Sequence, residues 1–300
     1  MELKWLEDFL ALLNTRNFTS AAQLRNISQP AFSRRIQSLE AWMGTELLDR
    51  TKKQVQPSDA ALQYRDEIQQ VVSKLYQLRS KIQSSQIHHV SFTVAAQHSL
   101  LASPPLPTVL RELSARIQNL ELSVRSEDSE GCHSLLSRGE ADLIFLYEYS
   151  QNVGYTHSSA LKSFEVGHDR LIFVCSNELH RALRKQSAAP IYPLLVYPET
   201  SFLGRVIRER ELGNLSSKHR TQIRCESAFA PALKEMTLAG TGMAWLPESL
   251  VIDELASGEL ISLNRLSKPI ALRIMGYQLT SPGNKLRDEV VAFFGKKPAI

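Results

Sequence analysis

Pro30, Ser33, Arg34 and Gln37 recur at a spacing that puts all four on one side of a helix, bringing a hydroxyl, a guanidinium and a primary amide together. An exposed face with those donors and acceptors can read base edges in the major groove of duplex DNA. The same residues on a helix without a partner would be no more than a solvated face. The next segment, residues 47–56, carries Arg50, Lys52 and Lys53 between short extended stretches. Cations on such a wing neutralise phosphates, which positions a protein on DNA without specifying a sequence.

Three helices must hold that face in place. Leu6, Phe9, Leu10 and Leu13 form the i, i+3, i+4, i+7 stripe of a first helix that ends before Asn14 to Asn17. Thr19 or Ser20 is expected to cap a second, short helix over residues 20–24, with Ser20 and Gln23 at capping-box spacing and Phe18 as its staple. Asn26 and Ile27 make the turn. Ser28 then caps a third helix with Pro30 in its first turn, where a missing N–H costs little. At about 100° per residue, Phe32, Ile36, Leu39 and Met43 share the buried arc opposite Ser33, Arg34 and Gln37, and Gly44 ends the helix.

From Ser58 to Ser84 a single helix is expected, with Ala61, Tyr64, Ile68, Val71, Leu75, Leu78 and Ile82 at alternating steps of three and four among charged residues. A seam this narrow suits a second copy of the chain, the other option being packing on its own domain. At about 1.5 Å per residue the rod is roughly 37 Å long, matched to a dimer that reads half-sites about one helical turn apart. Residues 83–89 form a polar hinge. Beyond it, strands over residues 90–95, 120–125, 143–147 and 171–175 alternate with helical stretches, the pattern of an α/β domain.

The chain has 300 residues and a net charge of +4, enough length for a small and a larger domain and a balance compatible with nucleic acid without demanding it. Met1 leads into Glu2 and Lys4 rather than into an apolar leader, and no window reaches the roughly 18 apolar residues of a membrane span, so a cytoplasmic location is expected. Cys132, Cys175 and Cys225 are odd in number and widely spaced, which argues for reduced, buried thiols over a disulfide framework or zinc site and leaves a redox sensor as the alternative. There is no Gly-rich phosphate loop, metal-spaced His/Cys set or nucleophile elbow, so neither an enzyme, a metal site nor a cofactor is expected. A solute-binding protein remains a rival for the C-terminal part, although it would need an export signal and has no use for a basic DNA-reading motif.

Thr19-Ser20-Ala21-Ala22, Ser28-Gln29-Pro30-Ala31-Phe32-Ser33, Ile36, Leu39-Glu40 and the run from Gly44 through Leu47-Leu48-Asp49-Arg50 closely resemble the signature of LysR-type transcriptional regulators. The C-terminal part is similar in layout to that family's periplasmic-binding-protein-like sensor, with Gly139-Glu140-Ala141-Asp142-Leu143-Ile144 and the run from Ala239 to Pro247 as signposts. Leu48 replaces the usual phenylalanine and Pro57-Ser58-Asp59-Ala60-Ala61 the usual wing exit, but Leu48 is still apolar and Ser58 still offers a cap oxygen.

The resemblance implies a fold of three parts: a winged helix-turn-helix (1–57), a linker helix and hinge (58–88) and an α/β effector-binding domain (89–300). The last divides into subdomain I (89–162 and 268–300) and subdomain II (163–267). It implies that Gln29, Pro30, Ser33 and Arg34 meet bases or nearby phosphates while Arg50, Lys52 and Lys53 hold the backbone, with Ile68, Val71, Leu75, Leu78 and Ile82 pairing two chains. The implied partners are operator DNA, copies of the chain in a dimer that builds a tetramer, RNA polymerase at a promoter, and a small, often anionic effector between the subdomains.

Groups suited to that effector stand at two helix starts, His98-Ser99 after the first strand and Thr200-Ser201-Phe202 in the second half, with Gly242 open to a close backbone approach. An anion clamp and two ordinary helix caps are both compatible with these residues, and a small carboxylate such as an amino acid or dicarboxylate fits the clamp. Within the family the sensor resembles the hypochlorite-responsive type in Pro193-Leu194-Leu195, Ser201-Phe202-Leu203-Gly204-Arg205 and Gly242 to Pro247. Leu135, Leu203 and Phe229 stand where that type would have methionines, which argues against oxidant sensing by that route.

Overall fold

A computed structural model of the chain describes residues 1–49, 56–84, 90–103, 105–117, 120–149, 161–185, 190–279, 289–290 and 292–294. The chain divides into two compact units, one built on Met1–His88 and one beginning at His89.

The first unit is helical, with α1 (Leu3–Thr15), α2 (Phe18–Leu24) and α3 (Gln29–Met43) followed by a two-stranded wing of β1 (Leu48–Asp49) and β2 (Gln56–Pro57). Leu6, Phe9, Leu10 and Leu13 of α1 pack on Ala21 and Ala22 of α2 and on Phe32, Ile36 and Leu39 of α3 to form its core. The cap of α2 differs from expectation. Asn17, in extended geometry one turn earlier than the hydroxyls, accepts from the Thr19 and Ser20 N–H groups at 2.8 and 3.0 Å. The helix therefore starts at Phe18, whose ring meets Phe32 edge-on at 5.9 Å. Ser28 occupies the cap position of α3 in extended geometry but its side chain accepts no cap bond, while Gly44 ends that helix at φ +69°, which a residue with a Cβ adopts only under strain.

Antiparallel pairing of Leu48 with Pro57 and Asp49 with Gln56 closes the wing. Ser58 accepts from the Ala61 N–H at 3.2 Å and caps α4 (Asp59–Gln63), after which α5 runs from Arg65 to Ser84. The expected single helix is thus interrupted at Tyr64, where φ is −100° and ψ is 7°. Tyr64 still donates to Ala60 and Ile68 to Tyr64, so the interruption is one relaxed residue in a nearly continuous ladder.

The second unit centres on a nine-stranded sheet. Its elements in order are β3 (Val90–Gln97), α6 (His98–Ala102), α7 (Pro105–Arg116), β4 (Leu120–Glu127), α8 (Ser129–Ser137), β5 (Leu143–Glu148), β6 (Leu161–Ser176), α9 (Asn177–Arg184) and β7 (Ile191–Val196). There follow α10 (Phe202–Ile207), a π-helical turn (Arg208–Leu212), α11 (Gly213–Lys218), β8 (Arg220–Glu226), α12 (Ala230–Leu238), β9 (Met243–Pro247), a 3-10 turn (Glu248–Leu250), α13 (Ile252–Ser257), β10 (Leu260–Ser262) and β11 (Ile270–Leu279). The strand order is β4-β3-β5-β11-β6-β9-β7-β8, with β10 also on β6.

Two parallel trios, β4-β3-β5 and β9-β7-β8, are joined by the antiparallel pair β11 and β6. In β5, Leu143, Phe145 and Tyr147 belong to one core and Ile144 and Leu146 to another. Such a strand is covered on both faces, so it reads as a continuous apolar run instead of an alternating one. No helix among the described residues is long and apolar enough to cross a membrane.

Candidate functional site

Burial of Phe32, Ile36 and Leu39 fixes how α3 is turned, and Gln29, Pro30, Arg34 and Gln37 consequently point into solvent while Ser33 is half-buried. Glu40, on the buried side, accepts from the Leu47 and Leu48 N–H groups at 3.0 and 3.2 Å and ties the start of the wing to the helix. Arg50, Lys52 and Lys53 lie outside the described residues.

Sequence reasoning missed the charged centre behind this face. Asp8 is fully buried, with its carboxylate 2.7 Å from Arg25 Nε and 3.1 Å from Arg35 Nη1. Burial opposes the charge of Arg25, but hydrogen bonding to Asp8 and the charges of Glu7 and Asp8 outweigh it and hold its pKa above the ordinary arginine value. The signal was Leu12, an apolar residue off the α1 stripe. If α1 is covered at Leu12 it is also covered one turn earlier at Asp8, and a buried carboxylate requires cations.

Of the proposed dimer seam, Ile68 is buried in the core of the first unit, whereas Val71, Leu75, Leu78 and Ile82 are between 45% and 63% exposed. Those four repeat along α5 at steps of four, three and four.

In the second unit the effector candidates make bonds of their own. His98 Nδ1 lies 2.6 Å from Ser126 Oγ, and buried Ser99 offers its carbonyl to Ser103 Oγ at 2.8 Å. Ser201 Oγ accepts from the Gly204 N–H at 3.0 Å and donates to the Pro198 carbonyl at 2.8 Å, while the exposed Thr200 gives its carbonyl to Arg205 Nη1 at 2.6 Å. Phe202 packs half-buried against the core. Gly242 is buried, and a Cβ there would come within 2.9 Å of Leu195 Cγ and the Pro193 carbonyl, so its lack of a side chain serves strand packing. No hydrogen bond among the described residues joins His98 or Ser99 to Thr200, Ser201 or Phe202. A surface cavity of about 660 Å³, lined by Ile191 and residues 216–222, contains none of them.

Gln97, which the sequence places with His98 and Ser99 at the helix start, is taken up inside the unit, together with polar groups not singled out from sequence. Gln97 Oε1 accepts from the Tyr147 N–H at 2.6 Å, and Tyr147 donates its hydroxyl to Asp169 at 2.6 Å. Ser249 also donates to Asp169, at 2.5 Å, so this carboxylate links β5, β6 and the 3-10 turn. Arg210, in the π-helical turn, lies 4.7 Å above the Tyr149 ring, a cation–π contact between the two halves of the sheet. Burial pushes the Cys132 thiol up to about 12 and Cys175 up to about 11, which suppresses the reactive thiolate at both.

Residues 3–62 match the family model described as a bacterial regulatory helix-turn-helix protein of the lysR family, and residues 90–294 match that of the LysR substrate binding domain. The HTH-type transcriptional regulator YjiE of Escherichia coli K12 is 32% identical over 292 residues, spanning 96% of this chain and 92% of its own. Full-length HypT of Salmonella typhimurium, a hypochlorite-specific LysR-type transcriptional regulator, is 29% identical with a TM-score of 0.56, spanning 97% of this chain and 96% of its own. Vibrio fischeri DarR, solved in complex with DNA, is 26% identical with a TM-score of 0.59 and is spanned for 99% of each chain.

Proposed function

Because the chain belongs to the LysR family of DNA-binding transcriptional regulators, proteins with an effector-binding domain and no enzymatic role, we propose that Gln29, Pro30, Ser33, Arg34 and Gln37 read its operator. The observation that carries this reading is the solvent-facing set Pro30, Arg34 and Gln37 on α3, opposite the buried Phe32, Ile36 and Leu39, with Gln29 exposed at the start of the same helix. Arg34 and Gln37 can each make paired hydrogen bonds to a base edge, which phosphate contacts alone cannot replace. Arg50, Lys52 and Lys53 supply the phosphate contacts on the wing.

Val71, Leu75, Leu78 and Ile82 pair two chains along α5, and dimers associate into a tetramer in the cytoplasm, where the chromosomal operator is. The operator itself is found by capturing genomic fragments on the wild-type protein. A gel shift on those fragments then tests the reading, since Arg34→Ala loses affinity at unchanged oligomeric state, and full retention of affinity counts against it.

The effector is a small carboxylate held in the second unit by His98, Ser99, Thr200, Ser201 and Phe202, whereas Gly242, expected from the sequence to line the site, serves strand packing instead. Support for the carboxylate is the placing of the Ser99, Thr200 and Ser201 hydroxyls at the starts of two helices, where a helix end favours an anion. A thermal-shift screen with amino acids and short dicarboxylates raises the melting temperature of the wild-type protein. A flat response across the panel sinks the carboxylate. Likeness to HypT favours a second reading, a response to oxidant, and hypochlorite treatment that alters operator retention would establish it in place of the first.

A further inference from the structure

Glu7 and Asp8 are adjacent on α1 and share Arg25, each with one further partner. Asp8 takes Arg25 and Arg35, while Glu7 Oε2 lies 2.5 Å from Arg25 Nη2 and Glu7 Oε1 accepts the Tyr76 hydroxyl. Arg25 therefore holds both carboxylates with one planar guanidinium, Nε on Asp8 and Nη2 on Glu7. The result is an unbroken polar chain, Tyr76–Glu7–Arg25–Asp8–Arg35, that crosses from α5 through α1 and the end of α2 to α3. It is well shielded, with side chains only 9% exposed at Glu7, 15% at Arg25 and 27% at Arg35 and none of Asp8 exposed.

Packing of this small unit needs no such chain. Leu6, Phe9, Phe32, Ile36 and Val72 already bury the apolar faces of the same helices. Apolar contacts, however, tolerate sliding and rotation, whereas a guanidinium fork bonded to two carboxylates fixes direction. The two ends of the chain sit beside the two functional surfaces. Arg35 follows Arg34 on α3, so anchoring it to Asp8 holds the rotation that burial of Phe32, Ile36 and Leu39 gives the helix, with Arg34 and Gln37 outward. Tyr76 follows Leu75 on α5, beside the row of Val71, Leu75, Leu78 and Ile82.

We infer that Tyr76, Glu7, Arg25, Asp8 and Arg35 are positioning residues that lock the DNA-reading helix to the pairing helix and thereby set the half-site spacing the dimer accepts. The inference rests on the operator reading proposed above. Half-sites one turn apart are separated by about 34–36 Å, so each reading helix stands roughly 17 Å from the dimer axis. A tilt of about 5° over that arm moves Arg34 by about 1.5 Å, enough to misplace a bidentate base contact. Loosening the chain should therefore blur the spacing preference and not simply weaken binding.

The test uses the full chain, Tyr76→Phe and Arg25→Lys, on captured operator duplexes in which the half-site separation is lengthened or shortened by one or two base pairs. Tyr76→Phe keeps the ring and its packing and removes only the hydroxyl. Arg25→Lys keeps the charge and removes the fork. Each variant is expected to remain folded and to lower the ratio of affinity at the optimal spacing to affinity at neighbouring spacings by at least about threefold. The double variant should be no worse than the more affected single variant, since both interrupt one chain. Equal weakening at every spacing, an unchanged ratio, or additive losses in the double variant would overturn the inference while leaving the operator reading intact. If the wild-type protein captures no duplex at all, the operator reading fails, and the spacing role falls with it.

Discussion

Among the described residues of the first unit, Gln29, Arg34 and Gln37 of the proposed DNA-reading set face solvent, and the internal polar bonds are made by others. Asp8, Arg25, Arg35 and Glu40 satisfy one another or the backbone. In the second unit the two roles coincide. Ser201 is a candidate ligand group and also the cap of α10, and His98 is already bonded to Ser126. A face defined by what is buried opposite to it can be recognised by subtraction. A hydroxyl at a helix start cannot, because the chemistry that binds an anion is the chemistry that caps a helix.

The sharpest contrast in stability should come from the charged centre. Asp8→Ala leaves Arg35 without its carboxylate and Arg25 with Glu7 alone, and is expected to cost about 3 kcal/mol in denaturant unfolding, far more than any substitution on the exposed face of α3. A loss below about 1 kcal/mol would show that Arg25 and Arg35 are compensated without Asp8. In the second unit, Gly204→Ala places a Cβ 2.0 Å from the Pro198 carbonyl and should destabilise by about 2 kcal/mol or more, read as a lower melting temperature.

Arg34→Ala is expected to behave in the opposite way, leaving stability within about 0.5 kcal/mol while weakening the operator complex by about 1–3 kcal/mol. Ser201→Ala should cost about 1 kcal/mol without any effector, as a lost helix cap. If stability is unchanged but the response to an effector disappears, Ser201 is a ligand group and the two regions are more alike than the structure makes them.

A further expected effect concerns pH. Burial pushes His133 down to about 4, whereas in the unfolded chain it takes up its proton near 6.5. Its contribution to stability is therefore complete above about pH 6.5 and is lost as pH falls towards about 4, so His133→Asn should flatten the acid side of the stability profile by up to about 3 kcal/mol. An identical acid slope in the variant would remove His133 from the account.

The sequence exposed these regions unequally. Buried stripes with one helical period specified α1, α3 and the exposed side of α3, and the family signature lies on the same residues. Its cap prediction for α2 missed because Thr19 and Ser20 compete with Asn17, and an asparagine in extended geometry satisfies two N–H groups at once. Asp8 could not be paired from sequence, since its partners Arg25 and Arg35 arrive from two other helices. Gly242 shows the same limit: sequence cannot tell whether a glycine makes room for a ligand or, as here, for Leu195 of a neighbouring strand.

The account depends most on α3 reading bases, and the most direct measurement is a set of affinities for wild type and Arg34→Ala on operator duplexes carrying every single-base substitution, repeated over a range of salt. The account predicts that Arg34→Ala loses discrimination at one base pair in each half-site and leaves the other positions as selective as before. Uniform weakening at all positions, accompanied by a shallower salt dependence, would make Arg34 a phosphate contact and contradict it.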